Sequence, residues 1–257
     1  MKKAFTLVEL IFVVVVIGIL AFSLWPKKQP IQALAAARQI VAHIRYTQHL
    51  ALNDDKFATH TDTGGTDSIA KDWYKRLWRI TFSDIKADKD CKIGGWRYAV
   101  YQNIAGDLSD KGQPNGTIEA ARNPAQAGKV LSGACYSGLS TNTSDELNLS
   151  QTYKIKKIDF SEFATDSRIQ GIIFDELGRA YPRGNWTTPY GNNNFSQGGG
   201  SYGRIILRAK DGSTANILVF GETGYACVED VDPGCQAPAT PPATPPATPP
   251  ATSPATP

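Results

Sequence analysis

MKKAFTLVELIFVVVVIGILAFSLWP, residues 1–26, decides what kind of protein this is. Phe5 to Trp25 is a run of 21 residues whose only charge is Glu9. As an α-helix it rises roughly 31 Å, enough to cross the hydrocarbon core of a bilayer. Lys2 and Lys3 keep the start on the cytoplasmic side and direct the C-terminal bulk outward. Two ordinary uses of such a segment are a cleaved secretory signal, with Ala21-Phe22-Ser23 as a small-x-small cleavage site, and an uncleaved anchor. Neither accounts for Glu9. A lone carboxylate in an apolar segment costs about 2.5–3.5 kcal/mol at mid-membrane and less near an end, so it reads as a functional residue that needs a partner.

The residues KKAFTLVEL resemble the N-terminal motif of type IV pilins and pseudopilins. The resemblance implies a leader of residues 1–4, removed by a prepilin peptidase between Ala4 and Phe5, and methylation of Phe5 as the new N-terminus. It implies that residues 5–25 form a transmembrane and assembly helix. Glu9 then matches the family's charged position, which pairs with the terminal amine of a neighbouring subunit. A buried pair of this kind fixes register more than it adds stability. Ala4 is a departure, because most members carry Gly there; Ala is still small, and processing is expected, if less efficient. Pro26 fits a bend common in pilin helices, or else Pro26 and Pro30 end the membrane span; a proline-induced kink or break is expected either way.

Beyond the prolines, residues 29–52 resume a helical pattern. Leu34, Ala37, Val41, Ile44 and Leu52 recur on one face, with Arg38, His43 and Arg45 between them. This is an amphipathic helix whose stripe docks on a sheet, with His43 and His49 at its surface. The stretch QALAAARQIVAHIRYTQHLAL resembles the second half of the long helix in the GspH/FimT group of minor pseudopilins and minor pilins. Strands follow at 74–82, with Trp78, Ile80 and Phe82 on one face and Arg79 and Thr81 on the other, and at 96–101. Residues 103–150, rich in Gly, Asn, Ser and Thr, read as a long loop. Further strands are expected at 153–160, 169–175, 203–209, 216–220 and 225–228, with Lys210-Asp211-Gly212-Ser213 as a hairpin turn. GIIFDELGRAYP and ILVFGETGYACV resemble the family's two C-terminal strand motifs. The fold expectation is α+β: a pilin fold in residues 26–236, its long N-terminal helix packed on an antiparallel sheet, with residues 237–257 as an Ala/Thr/Pro-rich tail.

Charge narrows the partners. The chain has 27 basic and 24 acidic residues; setting aside Lys2 and Lys3 leaves 25 against 24, a net +1. Such a chain lacks the positive field that drives non-specific nucleic-acid binding. DNA uptake stays as an alternative, because FimT-like minor pilins can bind DNA through arginines in the last strand motif. This chain has Gly224-Tyr225-Ala226-Cys227 there instead, leaving Arg204 and Arg208 as DNA-binding candidates.

Cys91, Cys135, Cys227 and Cys235 form no Cys-x-x-Cys pair, and the histidines lie far from them in sequence, which disfavours zinc. In an exported domain they suit two disulfides in one of three connectivities, with Cys227–Cys235 and Cys91–Cys135 preferred. Glu229, Asp230 and Asp232 crowd between two of the cysteines and are candidate calcium ligands, though the spacing is not that of an EF-hand. Gly198-Gly199-Gly200 lacks the Lys-Ser/Thr of a phosphate-binding loop. No nucleophile motif appears, so no enzyme and no cofactor is expected. The tail repeats Ala-Thr-Pro-Pro from Ala239 to Pro250 and favours polyproline II, as a spacer or as a glycosylated or partner-binding stalk.

The sequence thus points to a minor pseudopilin of a type II secretion-like or competence pseudopilus. The alternatives are a minor type IV pilin taking part in DNA uptake and a secreted domain that uses the segment only as a signal or anchor. The expected place is the bacterial inner membrane, single pass, with the C-terminal domain in the periplasm until assembly into a filament. The expected partners are other pilin or pseudopilin subunits and the prepilin peptidase.

Overall fold

The structure is a computed structural model and describes residues 7–23, 32–54, 76–88, 91–103, 112–133, 135, 142–161, 163, 169–183, 195 and 202–238. Two long helices, α1 (Leu7–Ser23) and α2 (Gln32–Asn53), are followed by β1 (Arg79–Ile85) and β2 (Gly95–Tyr101). A 3-10 turn (Asp145–Leu147) and the short helix α3 (Leu149–Thr152) lead into β3 (Ile155–Ser161). The remaining strands are β4 (Ile169–Phe174), β5 (Ala180–Pro182), β6 (Tyr202–Ala209), β7 (Thr214–Phe220) and β8 (Ala226–Val228). They form two antiparallel sheets, ordered β2-β1-β4-β5 and β3-β6-β7-β8. The architecture is α+β, as a pilin fold requires, but the expected sheet is split in two.

The buried face of α2 is Ala33, Ala36, Ala37, Ile40, Val41, Ile44, Thr47 and Ala51. Small residues dominate its first turns, which lets the backbone approach β6, β7 and β8 closely, while Ile40 and Ile44 fill the core. Strand β6 alternates as its sequence demands: Gly203, Ile205, Leu207 and Ala209 are buried and Arg208 is exposed. Its register partners Ala215, Ile217 and Val219 on β7 complete the inner face. The β6–β7 turn closes as expected, with Gly212 at φ 85°, a value that favours glycine. Asp211 Oδ1 accepts from Ser213 N (2.9 Å) and Ser213 Oγ (2.6 Å), and these bonds hold its carboxyl below the usual range. Ser213 Oγ in turn accepts from Ala33 N (3.2 Å), satisfying one of the free N–H groups in the first turn of α2.

One expectation needs correction. Arg79 and Thr81 were expected to lie on a polar face of β1, yet both are buried. Thr81 Oγ1 donates to Gly112 O (2.8 Å), and the Arg79 guanidinium sits over the Tyr101 ring at 5.7 Å. The cover comes from the region expected to be a long loop with little regular structure, and its described residues are indeed mostly turns and isolated bridges. Its described residues pair with β2 through bridges Tyr101↔Ala120, Ala99↔Ser132 and Arg97↔Asn148, and they bury Leu131, Leu147 and Leu149 completely. Physically, β2 is an edge strand with unpaired backbone groups, and this segment satisfies them without forming a regular strand.

Candidate functional site

The segment that decided the sequence reading becomes α1, with Glu9 in its first turn, where the helix dipole favours a carboxylate. From Leu7 to Ile17 every large apolar side chain is exposed, on all sides of the helix. A helix apolar all round belongs inside a membrane or a bundle of other helices, since water leaves its burial energy unrealised. Burying each Val, Leu, Ile or Phe is worth about 1.5–3 kcal/mol, so ten such residues supply a large driving force for association. Among the described residues no helix is long and apolar enough to cross a membrane: α1 has 17 residues, about 26 Å against a core of about 30 Å. The Ala4–Phe5 junction, Trp25, Pro26 and Pro30 lie outside the described residues.

The sites expected in the globular part resolve one by one. Cys91 pairs with Cys135 (Cα–Cα 5.2 Å) and Cys227 with Cys235 (6.0 Å), the preferred connectivity. The acidic loop between the latter two does not gather its carboxylates. Glu229 accepts from Arg204 (2.9 Å) and from Asn216 (3.0 Å), and Asp232 Oδ2 accepts from Val228 N (2.9 Å). Asp230 adopts φ 61° in the turn between them. Among the described residues no three His, Cys, Asp or Glu side chains are placed to hold a metal ion.

Arg204 and Arg208 share the outer face of β6, four residues apart, but each is matched by a carboxylate. Arg204 pairs with Glu229 and Arg208 Nε with Asp159 (2.9 Å), which also accepts from Lys157 Nζ (2.5 Å). These bonds, with those from Lys157 foremost, depress the Asp159 pKa. Both arginines are thus ion-paired on this face, where three cations meet two carboxylates, and neither stands as an open basic patch.

Sequence reasoning missed how α2 clamps the last motif. Arg45 donates from Nε (3.1 Å) and Nη2 (2.8 Å) to Ala226 O, and its guanidinium lies 5.3 Å over the Tyr225 ring. One turn on, Gln48 Nε2 donates to Gly178 O (2.8 Å) and Thr223 O (2.7 Å), tying the β4–β5 and β7–β8 turns together. Thus the two C-terminal strand motifs meet at one end of α2. In the first of them Asp175, buried at the end of β4, accepts from Leu177 N (3.0 Å), Arg179 N (2.8 Å), Arg179 Nε (2.7 Å) and Tyr181 OH (3.0 Å). Its role is to hold a turn. The only sequence signals were the Asp and Gly of that turn and the i, i+3 spacing of Arg45 and Gln48.

His43 also differs from its expected surface position, whereas His49 is exposed as expected. His43 is half-buried, and its Nδ1 is 2.7 Å from the Tyr98 hydroxyl, which is fully buried and also accepts from Gln39 Nε2 (2.7 Å). Tyr153 OH donates to the other end of the Gln39 amide. Burial lowers the His43 pKa, with Glu146 opposing, and burial pushes the Tyr98 hydroxyl strongly upward. This network locks α2 to β2 and offers no exposed base.

Residues 1–25 match the family described as the prokaryotic N-terminal methylation motif. The chain is therefore type IV pilin-like at its N-terminus. That motif marks membrane-anchored precursors that are processed by prepilin peptidase and associate with other pilin-family subunits. No curated protein and no solved structure matches the chain.

Proposed function

We propose that this type IV pilin-like chain is a minor pseudopilin of a type II secretion-like or competence pseudopilus, in the manner of the GspH/FimT group. The observation that carries the reading is Glu9, a single carboxylate in the first turn of a helix otherwise apolar on every side, within a methylation motif that spans residues 1–25. The precursor waits in the inner membrane as a single-pass protein with its globular part in the periplasm. Assembly draws the apolar helix out of lipid into a filament core. There the Glu9 carboxylate meets the methylated Phe5 amine of a neighbour, and in that low-dielectric setting a mismatched register leaves a buried charge, a penalty of several kcal/mol per ion. The role is structural and needs no catalytic residue or cofactor.

The DNA-uptake alternative receives less support. Arg204 and Arg208 already have carboxylate partners, and the Gly224–Cys227 turn presents Tyr225 against Arg45 instead of arginines outward. The test is Glu9→Val. The variant is expected to reach the membrane at wild-type levels and to be absent from sheared filaments or from crosslinks to its neighbours. Normal incorporation of Glu9→Val would remove the assembly role assigned to this residue.

A further inference from the structure

Filament assembly through α1 makes no use of the network that ties α2 to β2 and to the segment covering it. The proton positions in that network follow from one fixed group. Gln39 Nε2 lies 3.0 Å from Glu146 O, a backbone carbonyl that can only accept, so the amide must turn its nitrogen that way. Tyr153 OH donates to Gln39 Oε1 on the opposite side, in agreement with that orientation. The second Nε2 hydrogen then goes to the Tyr98 hydroxyl oxygen (2.7 Å). Among the described residues this leaves the Tyr98 hydroxyl hydrogen a single acceptor, His43 Nδ1 at 2.7 Å. Nδ1 is therefore bare and the ring neutral, with its proton on Nε2.

A second proton on the ring reverses one link of this chain. A protonated Nδ1 donates, so the Tyr98 oxygen receives hydrogens from both His43 and Gln39, while its own hydrogen, fully buried, loses its acceptor. Gln39 cannot turn its amide to compensate, because Glu146 O and Tyr153 OH hold its two ends. We propose that this relay is a pH-sensitive latch: protonation of His43 releases residues 145–153 from α2 while the two sheets stay folded. The bonds define the part released. Glu146 O and Tyr153 OH tie it to Gln39 of α2, and the Arg97↔Asn148 bridge and Trp96 N–Ser150 Oγ (2.8 Å) tie it to β2. Its departure uncovers the fully buried Leu147 and Leu149 and the beginning of the β2 edge, whose backbone groups are then free to pair with another strand. Three titratable groups face the network from the elements packed on α2: Tyr98 from β2, Glu146 from the 3-10 turn and Tyr153 after α3. The Glu146 carboxylate, held by Asn123 Nδ2 (2.7 Å) and Gln126 Nε2 (3.2 Å), favours the charged ring, and burial of the ring opposes it more strongly. The latch is thus closed at the ordinary histidine pKa of about 6.5 and opens at a lower pH.

The experiment is amide hydrogen exchange, read by NMR on the full-length protein in detergent micelles and corrected for intrinsic rates. The pH runs from about one unit above the ordinary histidine pKa to about two below it. The probes are the Leu147, Asn148, Gln151, Thr152 and Tyr153 amides, all hydrogen-bonded within the segment. Their opening constants are expected to exceed those of the β6 and β7 amides at every pH and to rise about 10-fold as pH falls, the effect of one lost buried hydrogen bond. His43→Gln, which keeps an acceptor oxygen for Tyr98 and takes up no proton, should abolish the rise. Tyr98→Phe should bring opening at neutral pH up to the acid level. Segment amides that exchange only as slowly as those of β6 and β7 would overturn the proposal, since the segment then leaves only when the whole domain unfolds. A rise that persists in His43→Gln, or a nitrogen spectrum with the His43 proton on Nδ1 at neutral pH, would do the same.

Discussion

Gly224→Ala is the sharpest test of how the two C-terminal strand motifs are held together. Gly224 has φ 63°, and a Cβ there would lie 2.0 Å from Gly178 O and 2.4 Å from Gln48 Nε2. The obstacle on one side is backbone, in a turn already fixed by Asp175, so it cannot step aside cheaply. The left-handed conformation costs a non-glycine residue about 1–2 kcal/mol. Displacing the turn also breaks the two Gln48 bonds to Gly178 O and Thr223 O, each worth about 0.5–1.5 kcal/mol net. Together these give a loss of about 2–5 kcal/mol, a large share of a typical 5–15 kcal/mol. For a domain of this size that corresponds to a fall in melting temperature of roughly 4–20 °C. The assay is urea and thermal unfolding of the full-length protein in detergent, followed by near-ultraviolet circular dichroism. Gln48→Ala alone should cost about 1–3 kcal/mol, and in that background Gly224→Ala should still destabilise, because the Gly178 carbonyl remains in the way. A Gly224→Ala protein within 0.5 kcal/mol of wild type, on the scale of an ordinary surface change, would refute the clamp.

Two further outcomes can be checked on the same protein. Removing the Cys91–Cys135 disulfide, which closes a separation of 44 residues, should cost about 4 kcal/mol; removing Cys227–Cys235, with 8, about 2.5 kcal/mol, as read from denaturation midpoints of paired Cys→Ala variants. Stability should also depend on His43. Burial lowers its folded pKa, so between that value and the ordinary pKa near 6.5 the unfolded chain binds more protons; its contribution is complete above the ordinary value and is lost as pH falls through the lower one. Tyr98, Gln39 and the nearby Glu146 carboxylate surround the ring, and Glu146 partly offsets the burial. His43→Gln should flatten that slope in denaturation midpoints measured across the range, and an unchanged slope would assign it to another group.

The α+β architecture was legible because three patterns are strong: an apolar run with one charge, a 3.6-residue stripe in α2 and two-residue alternation in β6 and β7. The hairpin at Gly212 and the Cys227–Cys235 pair, 8 residues apart, were legible for similar local reasons, and Cys91–Cys135, 44 residues apart, is the pair that then remains. The split into two sheets was not, since strand order depends on which edges find partners and neighbouring residues do not encode that. The Gly, Ser and Asn residues of the 103–150 region are those of a loop, and they did not announce that its Leu131, Leu147 and Leu149 cover an edge strand. Arg204 and Arg208 read as candidate DNA contacts because their partners, Glu229 and Asp159, stand 25 and 49 residues away. Arg45, Gln48 and the His43–Tyr98 pair were hidden for the same reason. Their partners lie 55 to 181 residues distant, and no local spacing announces them.

The central claim concerns the N-terminus of the mature chain. Intact-mass and N-terminal peptide mass spectrometry of protein purified from its native membrane tests it most directly. The account predicts a chain that begins at Phe5, lacks Met1 to Ala4 and carries one methyl group on its terminal amine. A chain that retains Met1, or one cut near Ser23, would contradict it.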